Sequence, residues 1–288
     1  LARDLSRKIE EIVKVDQADE ESVFTELTEY VSTERLRERY RDLFRAIAEG
    51  PADPTEGVGV WVSGFFGSGK SSFAKNVGYV LANRMVLGKK AADLFKAQVH
   101  DPVIESLIDS INSRIPTEVV MFDVQTDRAI GGSGNVSISH YMYRSLLRAL
   151  DYAEDFEIAE LEQTLEADGK LPEFEERCKA RYGAEWKVRR KRALKFNEAS
   201  ALLQEMDGKT YPEADSWAKA LKRIEVTPTF LVQKVFELAT RRCEGSGLAF
   251  VIDEVGGYVA RSTERIEDLR AVVEQLGKES KNRVKARK

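Results

Sequence analysis

The chain has 288 residues, enough for one large domain or two, and its 42% hydrophobic content can build a sizeable core. Its 45 Lys and Arg against 49 Asp and Glu leave a net charge of −4, which makes no global electrostatic case for nucleic acid or an anionic membrane. Two distant cysteines (Cys178 and Cys243), only two histidines and no long apolar run exclude a disulfide framework, a structural zinc site and a membrane span, and predict a reducing, cytoplasmic setting.

Residues 1–50 read as an N-terminal helical arm. Val23, Leu27, Tyr30 and Val31 make one apolar stripe, and Leu36, Tyr40, Leu43, Phe44 and Ile47 make another. The opposite faces, thick with Arg and Glu, read as solvated helix surface. Gly50-Pro51-Ala52-Asp53-Pro54 is a linker. Residues 51–150 then carry the first part of a core. Val58-Gly59-Val60-Trp61-Val62 predicts a buried strand, and Phe73, Val77, Val80 and Leu81 recur at helical spacing.

Between that strand and that helix, residues 64–71 read Gly-Phe-Phe-Gly-Ser-Gly-Lys-Ser, a complete Walker A pattern fixed by Gly64, Gly69, Lys70 and Ser71. Glycines at 64, 67 and 69 admit backbone conformations closed to other residues. The N–H groups of the loop can then converge on phosphate oxygens, aided by the positive end of the following helix. Gly64, Phe65, Phe66, Gly67, Ser68, Gly69, Lys70, Ser71 and Ser72 are the predicted ATP-binding residues. Lys70 is assigned to the β- and γ-phosphates and Ser71 to Mg²⁺. A glycine-rich turn with an incidental Lys is the bland alternative.

Helices follow at about residues 89–98 and 101–113, the second opened by Pro102. Residues 118–124 predict a strand, with Asp123 and Gln125 at its C-terminal end, where ligands gather in open α/β sheets. These two either approach the γ-phosphate or its water, or cap a neighbouring loop. Gly131-Gly132-Ser133-Gly134-Asn135 reads as a loop without a dinucleotide fingerprint.

Residues 151–227 are highly charged and helical in period, with Phe156, Ile158, Leu161 and Leu165 on one stripe, and read as a helical insertion. Its basic run at 187–195 has two readings: contact with DNA phosphates, or a helix face paired with nearby acids. Trp186 and Trp217 read as packing anchors. The core resumes over 228–288. An amphipathic helix at 228–243 delivers the chain to Leu248-Ala249-Phe250-Val251-Ile252, an apolar strand ending in Asp253-Glu254. Asp253 is the predicted Walker B acid that holds Mg²⁺, and Glu254 is placed to polarise the attacking water, so Glu254 and Lys70 are the predicted catalytic residues. Ile266, Leu269, Val272, Val273 and Leu276 make a final helix, and Lys278–Lys288 is basic with no strand pattern.

Several stretches together resemble one family. Val-Lys-Val-Asp-Gln (13–17), Glu-Tyr-Val-Ser-Thr (29–33), Gly-Val-Trp-Val-Ser-Gly-Phe-Phe-Gly-Ser-Gly-Lys-Ser-Ser-Phe-Ala-Lys-Asn (59–76), Tyr-Val-Leu-Ala-Asn-Arg (79–84) and Val-Ile-Asp-Glu-Val-Gly (251–256) are similar to the BrxC/PglY family, the large P-loop ATPases of BREX bacteriophage-exclusion systems. The resemblance implies an α/β fold: a P-loop NTPase of the additional-strand, AAA+-like class, its parallel sheet flanked by helices. It implies a role in bacterial defence beside a site-specific DNA methyltransferase and an alkaline-phosphatase-like partner, with oligomerisation as one way to complete the site. It places Asp16 and Gln17 near the adenine, although a helix cap explains them equally well. Family members are much longer. The chain is therefore expected to be an N-terminal fragment, ending before the sensor strand, arginine finger and C-terminal lid, that binds nucleotide with or without hydrolysing it.

Three functions fit these residues. The first is an ATPase that drives assembly or conformational switching of a defence complex. The second is a nucleotide-dependent scaffold with little hydrolysis. The third is a P-loop kinase, disfavoured because no Arg-rich lid sequence is evident.

Overall fold

A computed structural model describes residues 19–65, 67–126, 136–260 and 262–286. The chain divides into two compact units, Leu1–Tyr141 with Pro228–Lys288, and Met142–Thr227. The first unit opens with α1 (Glu20–Glu29), α2 (Glu34–Glu49), α3 (Lys70–Ala82), a short antiparallel pair of β1 (Met85–Val86) and β2 (Lys89–Lys90), α4 (Ala91–Val99), α5 (Pro102–Arg114), β3 (Thr117–Asp123) and the start of α6 (Ile138–Ala149). The second unit holds the rest of α6 with α7 (Phe156–Ala167), α8 (Leu171–Tyr182), α9 (Trp186–Arg189), α10 (Lys195–Met206) and α11 (Ser216–Ala220). The chain re-enters the first unit through α12 (Pro228–Arg242), β4 (Gly247–Asp253), α13 (Val255–Val259) and α14 (Thr263–Ala286).

Local chemistry sets the helix starts. Asp19 accepts a bond from Ser22 N at 2.8 Å and caps α1, and Thr33 accepts from Leu36 N at 3.3 Å and caps α2. Asp101 accepts from Val103 N (3.0 Å) and Ile104 N (3.1 Å) at the head of α5, where Pro102 supplies a first residue with no N–H to satisfy. Asp101 is itself buried and also takes Arg41 Nε at 2.8 Å, which ties α2 to α5. Burial opposes its charge, but Arg41 and the two backbone donors outweigh burial and hold the carboxyl below the ordinary carboxylate range.

The core of the first unit gathers the arm around α3. Tyr40 stacks on Phe73 with centroids 4.3 Å apart and donates to the Tyr30 hydroxyl at 2.9 Å. Lys75, only 1% exposed, donates to Glu26 Oε1 at 2.6 Å, and the Tyr79 hydroxyl donates to Glu26 Oε2 at 3.0 Å. One α1 carboxylate thus satisfies a buried and a half-buried α3 group, as a buried ammonium requires. Burial, and Glu26 beside it, push the Tyr79 hydroxyl far above the usual phenol range.

β3 and β4 pair in parallel, in register from Thr117 opposite Gly247 to Asp123 opposite Asp253. Gly78 of α3 faces this pair closely: a Cβ there would lie 2.1 Å from Met121 Cε and 3.2 Å from Val251 Cγ2. The predicted strand at 58–62 does not form. Val58, Val60, Trp61 and Val62 are exposed, and among the described residues no neighbouring strand offers them a ladder. Backbone in this stretch is instead laid along α14, with Gly59 against Val273 and the Glu56 carbonyl where a Cβ on Gly277 would sit.

Other expectations shift. Val31 lies past the end of α1 and is exposed rather than striped into the core, and Ile266 is exposed on α14. The basic stretch after Lys278 is helical as far as Ala286, and its Arg283 lies over the Phe236 ring of α12 at 4.6 Å. Residues 1–18, which include Asp16 and Gln17, and the loop at 131–135 lie outside the described residues.

The second unit has its own core. Trp186 is buried edge-on against Phe174 at 4.9 Å and donates from Nε1 to Glu162 Oε1 at 2.7 Å. Glu162 is 2% exposed; Ala153 N and Arg190 complete its bonding at 2.7 and 3.1 Å. Burial nonetheless leaves its carboxyl above the usual value. The 187–195 run is largely paired inside this unit: Lys187 and Arg190 with Asp151, Arg189 with Glu198, and Lys195 with Asp155. Trp217 stacks on Phe196, as a packing anchor would. No described helix is long and apolar enough to cross a membrane.

Candidate functional site

The glycine loop owes its shape to positions that reject a side chain. Gly67 and Gly69 take φ of 74° and 84°, the left-handed region that favours glycine. A Cβ on Gly64 would stand 2.6 Å from Ser68 Oγ and 3.7 Å from Lys70 Cγ, so the loop closes on itself there. Ser68 N donates to Phe65 O at 3.2 Å, and Phe73 N donates to Gly69 O at 2.9 Å as α3 begins. Gly69 gives α3 no side-chain cap, and Lys70, Ser71 and Ser72 form its first turn. Lys70 Nζ donates to Phe65 O at 2.9 Å, which holds the ammonium over the loop. Phe65 is 90% exposed, and Phe66 lies outside the described residues.

The direction of α3 relates this loop to the acids. Just past its C-terminal end, Arg84 reaches Glu118 at the start of β3 (3.3 Å). Further back along α3, Gly78 meets Met121 and Val251 in mid-strand. The helix therefore runs antiparallel to β3 and β4. From Gly78 back to Lys70 is about 12 Å of helix. From Met121 and Val251 to Asp123 and Asp253 is about 7 Å of strand. The first turn of α3 thus lies near and slightly beyond the C-terminal ends of the two strands, on the side where Asp253 and Glu254 emerge.

Each acid is held differently. Asp123 accepts Thr126 N at 2.7 Å, as a loop cap does. Asp253 Oδ1 accepts the N–H of Glu254 at 2.8 Å. Glu254 itself sits at φ 56°, a left-handed conformation costly for a residue with a side chain. Its Oε2 accepts Gln125 Nε2 at 3.1 Å. Sequence spacing could not foresee this pair, which is 129 positions apart.

These residues suit a magnesium nucleotide. Mg²⁺ in such sites takes one hydroxyl, one carboxylate and phosphate oxygens rather than an all-protein cage. Ser71 and Asp253 have the chemistry of that pair of groups. A shallow polar hollow at the far end of α3, lined by Asn83, Lys90, Asp93 and Asp109, has no comparable chemistry, because Lys96 pairs with both of its acids.

No protein-family model matches the chain, and no solved structure matches it.

Proposed function

We propose that the chain binds Mg·ATP on residues 64–72 and hydrolyses it, as a P-loop NTPase of the additional-strand class acting in the cytoplasm within a BREX-type anti-phage complex. The observation that carries the enzymatic part is the antiparallel run of α3 against β3 and β4, since it brings a glycine loop with two left-handed glycines to the strand ends bearing Asp253 and Glu254. The BREX assignment, with its methyltransferase and phosphatase-like partners, rests on the sequence resemblance alone.

In this reading the loop N–H groups and the first turn of α3 hold the phosphates, and Lys70 exchanges Phe65 O for phosphate oxygens. Ser71 and Asp253 would hold Mg²⁺, which would supply neutralisation of the phosphate charge. Glu254 polarises the attacking water through a carboxylate oxygen and takes up its proton as the water oxygen bonds to the γ-phosphorus, while the bond from that phosphorus to the bridging oxygen breaks and ADP leaves with the electron pair.

Titration calorimetry of ATP with Mg²⁺ tests the binding half. Lys70→Ala removes a charged bond of about 1.5–3 kcal/mol, so affinity should fall about ten- to a hundredfold with the fold intact. Equal affinity in wild type and variant would remove the loop from the proposal.

A further inference from the structure

At the far end of α3, about 18 Å of helix from Lys70, the chain turns back on itself in the β1–β2 hairpin. The two-residue loop of the hairpin is Leu87-Gly88, with φ of 45° and 80°. Two positive φ values match the twist of the flanking strands, and Asn-Gly is the sequence that adopts them most readily. A leucine there is strained, because its Cβ crowds the following carbonyl. Leu87 is 51% exposed, so core packing does not compensate. Glu20 of α1 holds the turn by accepting Leu87 N at 2.9 Å, and Ala91 N closes the hairpin on Arg84 O at 3.0 Å. Strained residues held in this way cluster where a protein grips a ligand or partner.

The two faces of the hairpin differ. Val86 is buried. Met85 and Lys90 are cross-strand partners, so both lie on the opposite face, Met85 at 56% exposed. Lys90 also lines the polar hollow, beside Asn83, Asn112 and Ser113. Lys96 takes up the two acids of that hollow, Asp93 and Asp109, whereas among the described residues no acid pairs with Lys90. Asn83 Oδ1 accepts Ala92 N at 3.2 Å, which leaves its NH₂ group to donate.

We propose that this hairpin and hollow form a docking surface for a protein segment that carries an apolar side chain close to a carboxylate. The apolar side chain covers Met85 and Leu87, and the carboxylate enters the hollow on Lys90. The surface lies away from the nucleotide loop and is independent of the ATPase reading. Three features point to this occupant. The exposed apolar pair sits on a turn that is already fixed, so contact there costs little ordering. One ammonium without an acid partner, set among amide and hydroxyl groups, suits one carboxylate. A nucleic acid fits less well: its phosphates would meet the carboxylates of Glu20, Asp93 and Asp109 at the same surface, and the hairpin has no aromatic ring on which a base could stack.

The test is selection of dodecapeptides from a random phage-displayed library on the full-length protein. The recovered peptides should share an Asp or Glu within a few positions of an aliphatic or aromatic residue. The labelled consensus peptide is then titrated by fluorescence anisotropy against wild type, Leu87→Asn and Lys90→Glu. Asn tolerates the left-handed conformation, so Leu87→Asn should keep or raise the urea midpoint while weakening the peptide about tenfold or more. Lys90→Glu should weaken it about ten- to a hundredfold. No enrichment, a consensus without an acid, or equal affinity for the wild type and either variant overturns the proposal. A urea midpoint lowered in Leu87→Asn overturns it too, since Leu87 would then serve the fold. A short DNA duplex of mixed sequence that binds the wild type and is lost in Lys90→Glu would assign the surface to nucleic acid instead.

Discussion

Asp101 shows how much a single carboxylate organises in this chain. It caps α5 through two backbone N–H groups and anchors Arg41 of α2, and these bonds hold its pKa below that of an exposed Asp despite burial. A carboxyl whose pKa is lowered by folding contributes stability that is fully present above its unfolded value, about 3.9, and is lost as pH falls through the folded value. Urea midpoints should therefore hold steady from neutral pH to about 5 and drop below about 4. Asp101→Asn keeps a capping oxygen but has no charge to lose, so it should be less stable at neutral pH and show a flatter acid limb. An unchanged acid limb in Asp101→Asn would contradict the Arg41 pairing. At this scale the sequence was informative where chemistry is local. Pro102 after an Asp reads directly as a helix start, and the glycines at 64, 67 and 69 as a tight loop, two of them in the left-handed region. Gln125 on Glu254 and Lys75 on Glu26 did not, since each pair is joined by tertiary packing rather than by spacing.

Among the elements, α3 is the one whose placement decides the site, and Gly78 is what allows it. Gly→Ala inside a helix ordinarily gains about 0.5–1 kcal/mol. Here the new methyl would meet Met121 Cε at 2.1 Å and Val251 Cγ2 at 3.2 Å. The Met side chain can swing aside, but Val251 is fixed on β4, so the net effect should be a destabilisation of about 1–3 kcal/mol. A lowered urea midpoint for Gly78→Ala, with weakened ATP binding, is the expected result; a raised midpoint would mean that α3 does not press on the strands there. The same scale shows what the sequence left hidden. The run 248–252 and the run 58–62 look alike as apolar segments, yet among the described residues only the first has a strand to pair with, and the second lies exposed beside α14. Apolar composition predicts a wish to be buried in a sheet; the ladder that realises it depends on a partner that composition does not reveal.

For the whole molecule, the change in character near residue 150 is visible in the sequence as a rise in charge and a loss of β-branched runs. The second unit nonetheless begins earlier, at Met142 inside α6, because a helix crosses that point without any break in composition. The basic run at 187–195 illustrates why charge alone assigns no partner: Asp151, Asp155 and Glu198 of the same unit take up much of it. The proposed activity joins a glycine loop and two acids that stand far apart in sequence. Mg²⁺-dependent ATP turnover by the full-length protein, with Glu254→Gln beside it, tests that most directly. Measurable turnover in the wild type, with a loss of about a hundredfold or more in the variant and ATP binding retained, is the predicted result. Tight ATP binding with no turnover in either would contradict hydrolysis at this site and make the chain a nucleotide-dependent scaffold.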